Sequence, residues 1–539
     1  MQDISRQNHP IKLNEIVCRL EGIDSLLTVV DDTGKEVVKS FQELYVDTTQ
    51  LISHLQDSGV ESGMNIGIYA SNCYDWIVWD LAIMQLNCVS VAFAQEPTSL
   101  FLSEMINKYN LSLLAIGDEY LSSQEDIPSI SVGITPISII DLLNHRDTST
   151  LAPLSLAPTT ENKHVNNTHS YVFSSGTTGK TKCLIVTNNG TEHLLNLYSE
   201  AFRFQPSDKA LNFLPFSNYQ QRMLYYGCLF HGVDYVSIPN KLLFASLKVY
   251  NPSFVVAPPI FYETIQRMVD VSVSLANSTS LKGQSVQTRL QSTLGGNIRY
   301  AITGMAPIKQ ETLHFFWDHG ISLYEAFGIT EAGMVAWNKP GQTKIGTVGQ
   351  PAEENCVSLS EENEVIVTRK APLASGYFEA SEEDKLATFI APNTVATGDI
   401  GEFDDQNFLR LVGRKKDAIV TKSGEKFHPE SIESLIQRDT RINVAVVTDR
   451  GSVAGIKAIL FVDNKRLLEV KSDIQVHVNK INASLPVYKH IAKLVLADID
   501  PSIENGLRTK NMKLNRKAIA QHFENALSNN ASRLEEVLQ

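Results

Sequence analysis

Nine consecutive residues, Ser174-Ser175-Gly176-Thr177-Thr178-Gly179-Lys180-Thr181-Lys182, are the densest collection of chemically useful groups in the chain. Hydroxyls, backbone N–H groups freed by glycine, and ammonium groups together make a phosphate cradle. The apolar triplet Tyr171-Val172-Phe173 puts this loop at the end of a strand. A Walker A loop, G-x-x-x-x-G-K-[ST], is the obvious rival. Gly179-Lys180-Thr181 fits it, but Ser174 stands where the first glycine is required. A plain Gly/Ser/Thr surface turn is the other alternative for the loop by itself.

The elements that must position such a loop can be read from periodicity. Short β-branched runs alternate with longer amphipathic segments: Asn65 to Tyr69 before Asp75 to Leu86, Val89 to Phe93 before Leu100 to Asn107, then Leu111 to Ile116. This alternation predicts βαβ units, a parallel sheet and a doubly wound α/β fold. The Ser/Thr/Pro/Asn-rich passage from Asp147 to Thr168 predicts a surface loop leading into the strand before the cradle. After Asp399 come strand-like Glu402 to Val412, the charged Gly413-Arg414-Lys415-Lys416-Asp417 and a fresh α+β pattern, which predicts a domain boundary there.

At 539 residues the chain has room for two to four folding units. Its 47 Lys and Arg against 60 Asp and Glu leave a net charge of -13, which argues against a general nucleic-acid binder. The six cysteines are scattered without a C-x-x-C pair, so neither a disulfide framework nor a zinc site is expected; they read as reduced, mostly buried thiols. The polar start, Met1 to Pro10, lacks the apolar segment of a secretory signal, and a cytoplasmic location is expected. The most apolar stretch, Ile66 to Met84, is broken by Ser71, Asn72, Asp75 and Asp80, which would be costly in a bilayer. No transmembrane segment is expected, while peripheral contact with a membrane stays open.

With its Thr181 and Cys183, the cradle resembles the phosphate loop S-G-T-T-G-x-P-K-G of the acyl-adenylate-forming superfamily; these two residues replace the proline and the last glycine. Four further segments resemble that family's motifs in the same order: Tyr324-Glu325-Ala326-Phe327-Gly328-Ile329-Thr330-Glu331, Thr397-Gly398-Asp399, Gly413-Arg414-Lys415-Lys416-Asp417, and Arg508 to Arg516. Weaker similarity fills the gaps at Leu214 to Ser217, Ala257 to Glu263 and Gly304-Met305-Ala306-Pro307. The resemblance implies an α/β protein with a large N-terminal domain, residues 1–412, of doubly wound sheets plus a distorted β-barrel. A hinge at 413–417 and a small mobile α+β domain at 418–539 would follow.

It also implies roles. Ser174, Ser175, Gly176, Thr177, Thr178, Gly179, Lys180 and Lys182, with Gly304, Met305, Ala306, Glu325, Ala326, Phe327, Gly328 and Thr330, would surround ATP or AMP. Glu331 would hold Mg2+, a hard cation suited to oxygen ligands. Taken alone, Thr330-Glu331 reads as a helix cap. Phe327 stands for a tyrosine stacked on adenine, and its ring keeps the stacking face. Asp399 would accept hydrogen bonds from ribose hydroxyls, with Arg414 beside it; in isolation these read as a turn aspartate and a solvated basic run. Lys513 matches a catalytic lysine that bridges substrate carboxylate and α-phosphate, with Lys510 as a backup and Lys510 and Arg516 as solvated neighbours. Lys416 matches a hinge position, and Gly424 flanks a thiol channel.

Within this superfamily, Glu504 to Arg516 and Phe213 to Arg222 are similar to fatty-acyl-CoA ligases, with Asn218 and Gln221 departing from the pattern. The chemistry implied is ATP-dependent conversion of a carboxylic acid, expected to be a fatty acid, to acyl-AMP and then to a CoA thioester. Two rivals stay open: an acyl-AMP ligase that loads the phosphopantetheine of an acyl carrier protein, and an inactive sensor of nucleotide or acyl ligands. Pocket walls are expected from Tyr225 to Gly232, Tyr300 to Met305 and Ala326 to Val335.

Overall fold

The computed structural model describes residues 9–93, 106–117, 136–138, 167–175, 181–278, 285–421, 424–439, 441–450, 455–462, 467–497, 499–509, 512–524 and 534–537. Most of Leu100 to Asn107, and Asp147 to Thr168 except its last two residues, lie outside them.

A seven-stranded sheet runs in the order Ala374–Tyr377, Thr181–Thr187, Thr168–Ser175, Val89–Ala92, Asn65–Tyr69, Leu111–Ile116, Pro136–Ser138. Its strands from Thr168–Ser175 onward are mutually parallel, as the βαβ alternation predicts, and the other two are antiparallel additions at one edge. A nine-stranded sheet runs Gln350–Pro351, Gly333–Trp337, Leu323–Ile329, Tyr300–Thr303, Phe254–Ala257, Lys209–Asn212, Asp234–Ser237, Leu26–Val30, Glu36–Ser40. A third, five-stranded sheet is antiparallel throughout; it pairs Thr394–Phe403 with Leu409–Arg414.

The helix Phe41–Asp57 starts at a capping box: Ser40 and Glu43 each satisfy the other's backbone N–H. Helix Tyr74–Gln85 is buried at Tyr74 and from Trp76 to Met84, as expected of a helix inside a core. Asp80 lies within it and cannot stay charged there without partners. It accepts from Arg222, Tyr225 and Tyr226, while the Arg222 guanidinium also donates to Ser170 Oγ and Ser90 Oγ, each at 2.7 Å. Both side chains of the pair are fully buried. Tyr225 and Tyr226 are therefore committed to this network through their hydroxyls. Asp80→Ala would strand a buried guanidinium and is expected to cost about 3–5 kcal/mol, read as a lower urea midpoint. Replacing Asp80 and Arg222 together by apolar residues of similar volume should recover much of that loss; an unchanged midpoint in Asp80→Ala would contradict the account.

The C-terminal unit has its own cores. One gathers Ile419, Phe427, Ile432, Ile442, Leu460, Ile474 and Leu494, the other Val446, Ile459, Val495, Leu507 and Ile519. They sandwich a four-stranded sheet, Ile442–Thr448, Ile456–Val462, Ile491–Ala497, Leu534–Val537. Arg516 is not a solvated neighbour. It donates to Glu433 Oε1 at 2.7 Å and to Oε2 at 2.5 Å, and so ties the helix Arg516–His522 to the helix Glu430–Ile436. All six cysteines are free, and four of them are buried.

Candidate active site

The strands Tyr300–Thr303 and Leu323–Ile329 lie side by side and parallel, with Thr303 opposite Glu325. Gly304 continues the first of these, and a Cβ there would sit 2.9 Å from the Ala326 carbonyl oxygen, so glycine is required for the approach. Met305 follows in the left-handed region, φ 72°, a strained conformation of the kind that clusters at functional sites. Leu323–Ile329 then turns back as an antiparallel hairpin with Gly333–Trp337, bulged between Phe327 and Gly328. A Cβ on Gly328 would meet the Gly333 carbonyl oxygen at 2.7 Å. Thr330 and Glu331 occupy the hairpin turn and cap no helix. Phe327 is 7% exposed and belongs to an apolar cluster with Val335, Val348, Val365 and Leu409.

Half-buried Glu325 has its carboxyl pushed up to about 8 by its enclosure. Asp399 lies on Thr394–Phe403, opposite Arg414 in the neighbouring strand, and Arg414 Nε is 3.0 Å from Asp399 Oδ1. Asp399 is 5% exposed, and its Oδ2 is buried with no hydrogen-bond partner among the described residues. A buried orphan acceptor is costly unless something donates to it. Burial raises the Asp399 pKa, against the opposing pull of Arg414, Lys513 and Lys416.

Lys513 comes from the other unit of the chain. Its loop is shaped locally: Arg508 Nη1 donates to Met512 O at 2.7 Å, Thr509 N to Lys513 O at 2.8 Å, and Met512 N to Thr509 O at 2.7 Å. Met512, itself left-handed at φ 61°, packs, as Met305 and Ile345 do, against the N-terminal cluster that includes Phe261, Leu313 and Phe316. Lys513 is thereby brought within electrostatic reach of Asp399, Glu331 and Arg414. Burial and Arg414 lower its pKa, and the two carboxylates oppose them. Further contacts hold the units together. Lys309 Nζ donates to Ile442 O at 3.1 Å, Arg267 Nη1 to Asn443 Oδ1 at 3.3 Å, and half-buried Glu263 feels Lys309, Arg267 and Arg508.

Ser174 and Ser175 end the strand Thr168–Ser175, opposite Lys182 and Thr181 of the next strand. Gly176, Thr177, Thr178, Gly179 and Lys180, the centre of the cradle, lie outside the described residues, as does Lys510. Lys182 pairs with Asp384 at 2.8 Å. Cys183 packs in an apolar cluster with Tyr109 and Phe173, where burial pushes its thiol up to about 12, so this departure from the family pattern fills core space. Asn218 caps the helix Tyr219–His231 by accepting from Gln220 N. Lys416 is exposed in the single turn Lys415–Asp417 between the units. Gly424, φ 91°, lies on an exposed hairpin between Ile419–Val420 and Lys426–Phe427 and is not brought to the cleft.

The family model of the AMP-binding enzyme matches residues 27–378, and that of the AMP-binding enzyme C-terminal domain matches residues 416–534. The chain belongs to the AMP-binding enzyme family. Among its relatives, the long-chain-fatty-acid–CoA ligase FadD15 of Mycobacterium tuberculosis (strain ATCC 25618 / H37Rv) is 23% identical over 533 residues, covering 86% of this chain and 87% of the relative. Human long-chain-fatty-acid–CoA ligase 1 is 24% identical, covering 85% of this chain and 77% of the relative. The fold is that of the anthranilate CoA ligase AuaEII in complex with anthranoyl-AMP, with TM-score 0.76, 16% identity, and coverage of 96% of this chain and 98% of that one. ATP-bound MatB from Rhodopseudomonas palustris gives TM-score 0.74 at 18% identity, covering 96% of this chain and 100% of that one. Among the described residues no helix is long and apolar enough to cross a membrane.

Proposed function

We propose that this chain joins a carboxylic acid to ATP, releasing pyrophosphate, and passes the acyl group from the resulting acyl-AMP to the thiol of CoA, releasing AMP. The observation that carries the reading is that Lys513, from the C-terminal unit, comes within electrostatic reach of the Asp399–Arg414 pair and of Glu331. A carboxylate and an α-phosphate are both anions and repel as they approach; an ammonium already aimed between them removes that barrier. The orphan Oδ2 of Asp399 suits a hydroxyl donor such as a nucleotide's ribose carries. Thr330 and the cradle would bind phosphate oxygens.

No group of three or more metal-ligating side chains occurs among the described residues. One carboxylate, Glu331, is what Mg2+ needs when phosphates and water fill its other positions. Bound there, the ion would neutralise phosphate charge. After adenylation the lysine must give way to a thiol, and rotation of 418–539 about 413–417, with Lys416 at the pivot, would exchange Lys513 for the Gly424 hairpin. The fatty-acid assignment draws on the names of the relatives. The free cysteines suit a reducing cytoplasm.

Purified protein mixed with ATP, Mg2+, CoA and a panel of acids is expected to release AMP and form a thioester with medium-to-long acyl chains. Adenylate without thioester on CoA, but with thioester on a holo carrier protein, would reassign the acceptor. No adenylate from any acid would refute the reaction.

A further inference from the structure

The strand Ala374–Tyr377 closes the edge of the seven-stranded sheet against Thr181–Thr187, the strand that leaves the phosphate loop, with Tyr377 opposite Leu184. Tyr377 is 5% exposed, and its ring packs edge-on against Phe389, 5.1 Å between centroids. Its hydroxyl is 2.9 Å from Glu331 Oε1 and 3.4 Å from Thr388 Oγ1. A phenol has one proton to give, and an ionised carboxylate can only accept. The proton therefore goes to Glu331, and Thr388 donates to the Tyr377 oxygen. The same ring carries the Lys182 ammonium 4.9 Å from its centroid, where Asp384 pairs with it. One side chain thus touches both the carboxylate at the hairpin tip and the cation at the exit of the cradle.

We propose that Tyr377 is a positioning residue for adenylation: its hydroxyl fixes Glu331 Oε1 so that the second carboxylate oxygen is presented to a metal–nucleotide complex, while its ring holds Lys182 alongside. The inference rests on the adenylation reading and extends it to a residue outside the five motifs. A glutamate on a hairpin turn has free rotamers. A donor on one of its oxygens removes that freedom before the ligand arrives, which is how outer partners of metal-binding carboxylates act.

Tyr377→Phe keeps the ring and its packing and removes only the proton. The expected result is a rise of about tenfold in the Mg2+ concentration that half-saturates exchange of pyrophosphate into ATP, with ATP binding in the absence of metal unchanged. Electron paramagnetic resonance titration of Mn2+ into the protein–ATP complex should show the same weakening without any turnover. Thr388→Val, which removes the donor behind Tyr377, should move both readouts in the same direction by a smaller factor. Wild-type Mn2+ affinity in a Tyr377→Phe protein with an unchanged urea midpoint overturns the proposal. Were the wild type inactive with every acid, the Mn2+ titration would still decide for or against Tyr377, so the two readings fail separately.

Discussion

Lys513→Ala is expected to lower the rate of adenylate formation by about a thousandfold while leaving ATP binding close to wild type. The ammonium is brought in by a loop from another folding unit, and a site that relied on other cations would have no need of that loop. Its neighbours are two carboxylates and a guanidinium, so removing it leaves Asp399 and Glu331 facing two incoming anions with less compensation. Exchange of labelled pyrophosphate into ATP reads the first half-reaction alone. Thioester formation from a supplied acyl-adenylate reads the second and should be nearly unaffected, since the proposed rotation takes Lys513 out of the cleft. Unimpaired exchange in the variant would refute the role, and equal loss in both half-reactions would point to misfolding.

Asp399→Asn is the second large effect. Asp399 pairs with Arg414 and attracts Lys513 and the exposed Lys416. The amide keeps the shape, loses the charge and leaves the guanidinium without its carboxylate. A loss of about 3 kcal/mol, or about a hundredfold in kcat/KM for ATP, is expected. The pH profile distinguishes this from a general structural effect. Lys513 must be protonated to act, so the rate falls as pH rises through its pKa, which burial already holds below the usual lysine range. Asp399 opposes that lowering, so removing its charge should shift the alkaline limb to still lower pH. An alkaline limb in the same place would show that the two groups do not interact.

Much of this was legible in the sequence because the signals are local. The strand Leu111–Ile116 has the span that its β-branched run predicts, and Asn65–Tyr69 likewise. What was not legible depends on residues far apart in the chain. Thr330-Glu331 reads locally as a helix cap, but the bulge after Phe327 and the pairing with Gly333–Trp337 make it a hairpin turn. Arg516 reads as a solvated cation because Glu433 lies 83 residues away. Asp80 counts in the sequence only as a charge that bars a membrane span, although an aspartate inside an otherwise apolar helix should have prompted a search for its cation, which is Arg222, 142 positions on. Tyr377 follows Ser375-Gly376 in no pattern that marks it, and its acceptor Glu331 is 46 residues upstream. The residues to which the proposed reaction gives a ligand come from motifs, and those that hold other residues in place needed coordinates.

The most direct measurement is a crystal structure of the protein with Mg2+ and a non-hydrolysable ATP analogue. The account predicts Lys513 Nζ within about 3 Å of an α-phosphate oxygen, with Asp399 Oδ2 accepting from the ribose. A nucleotide bound in the cleft with Lys510 or Lys416 at the α-phosphate, and Lys513 turned to solvent, would contradict it.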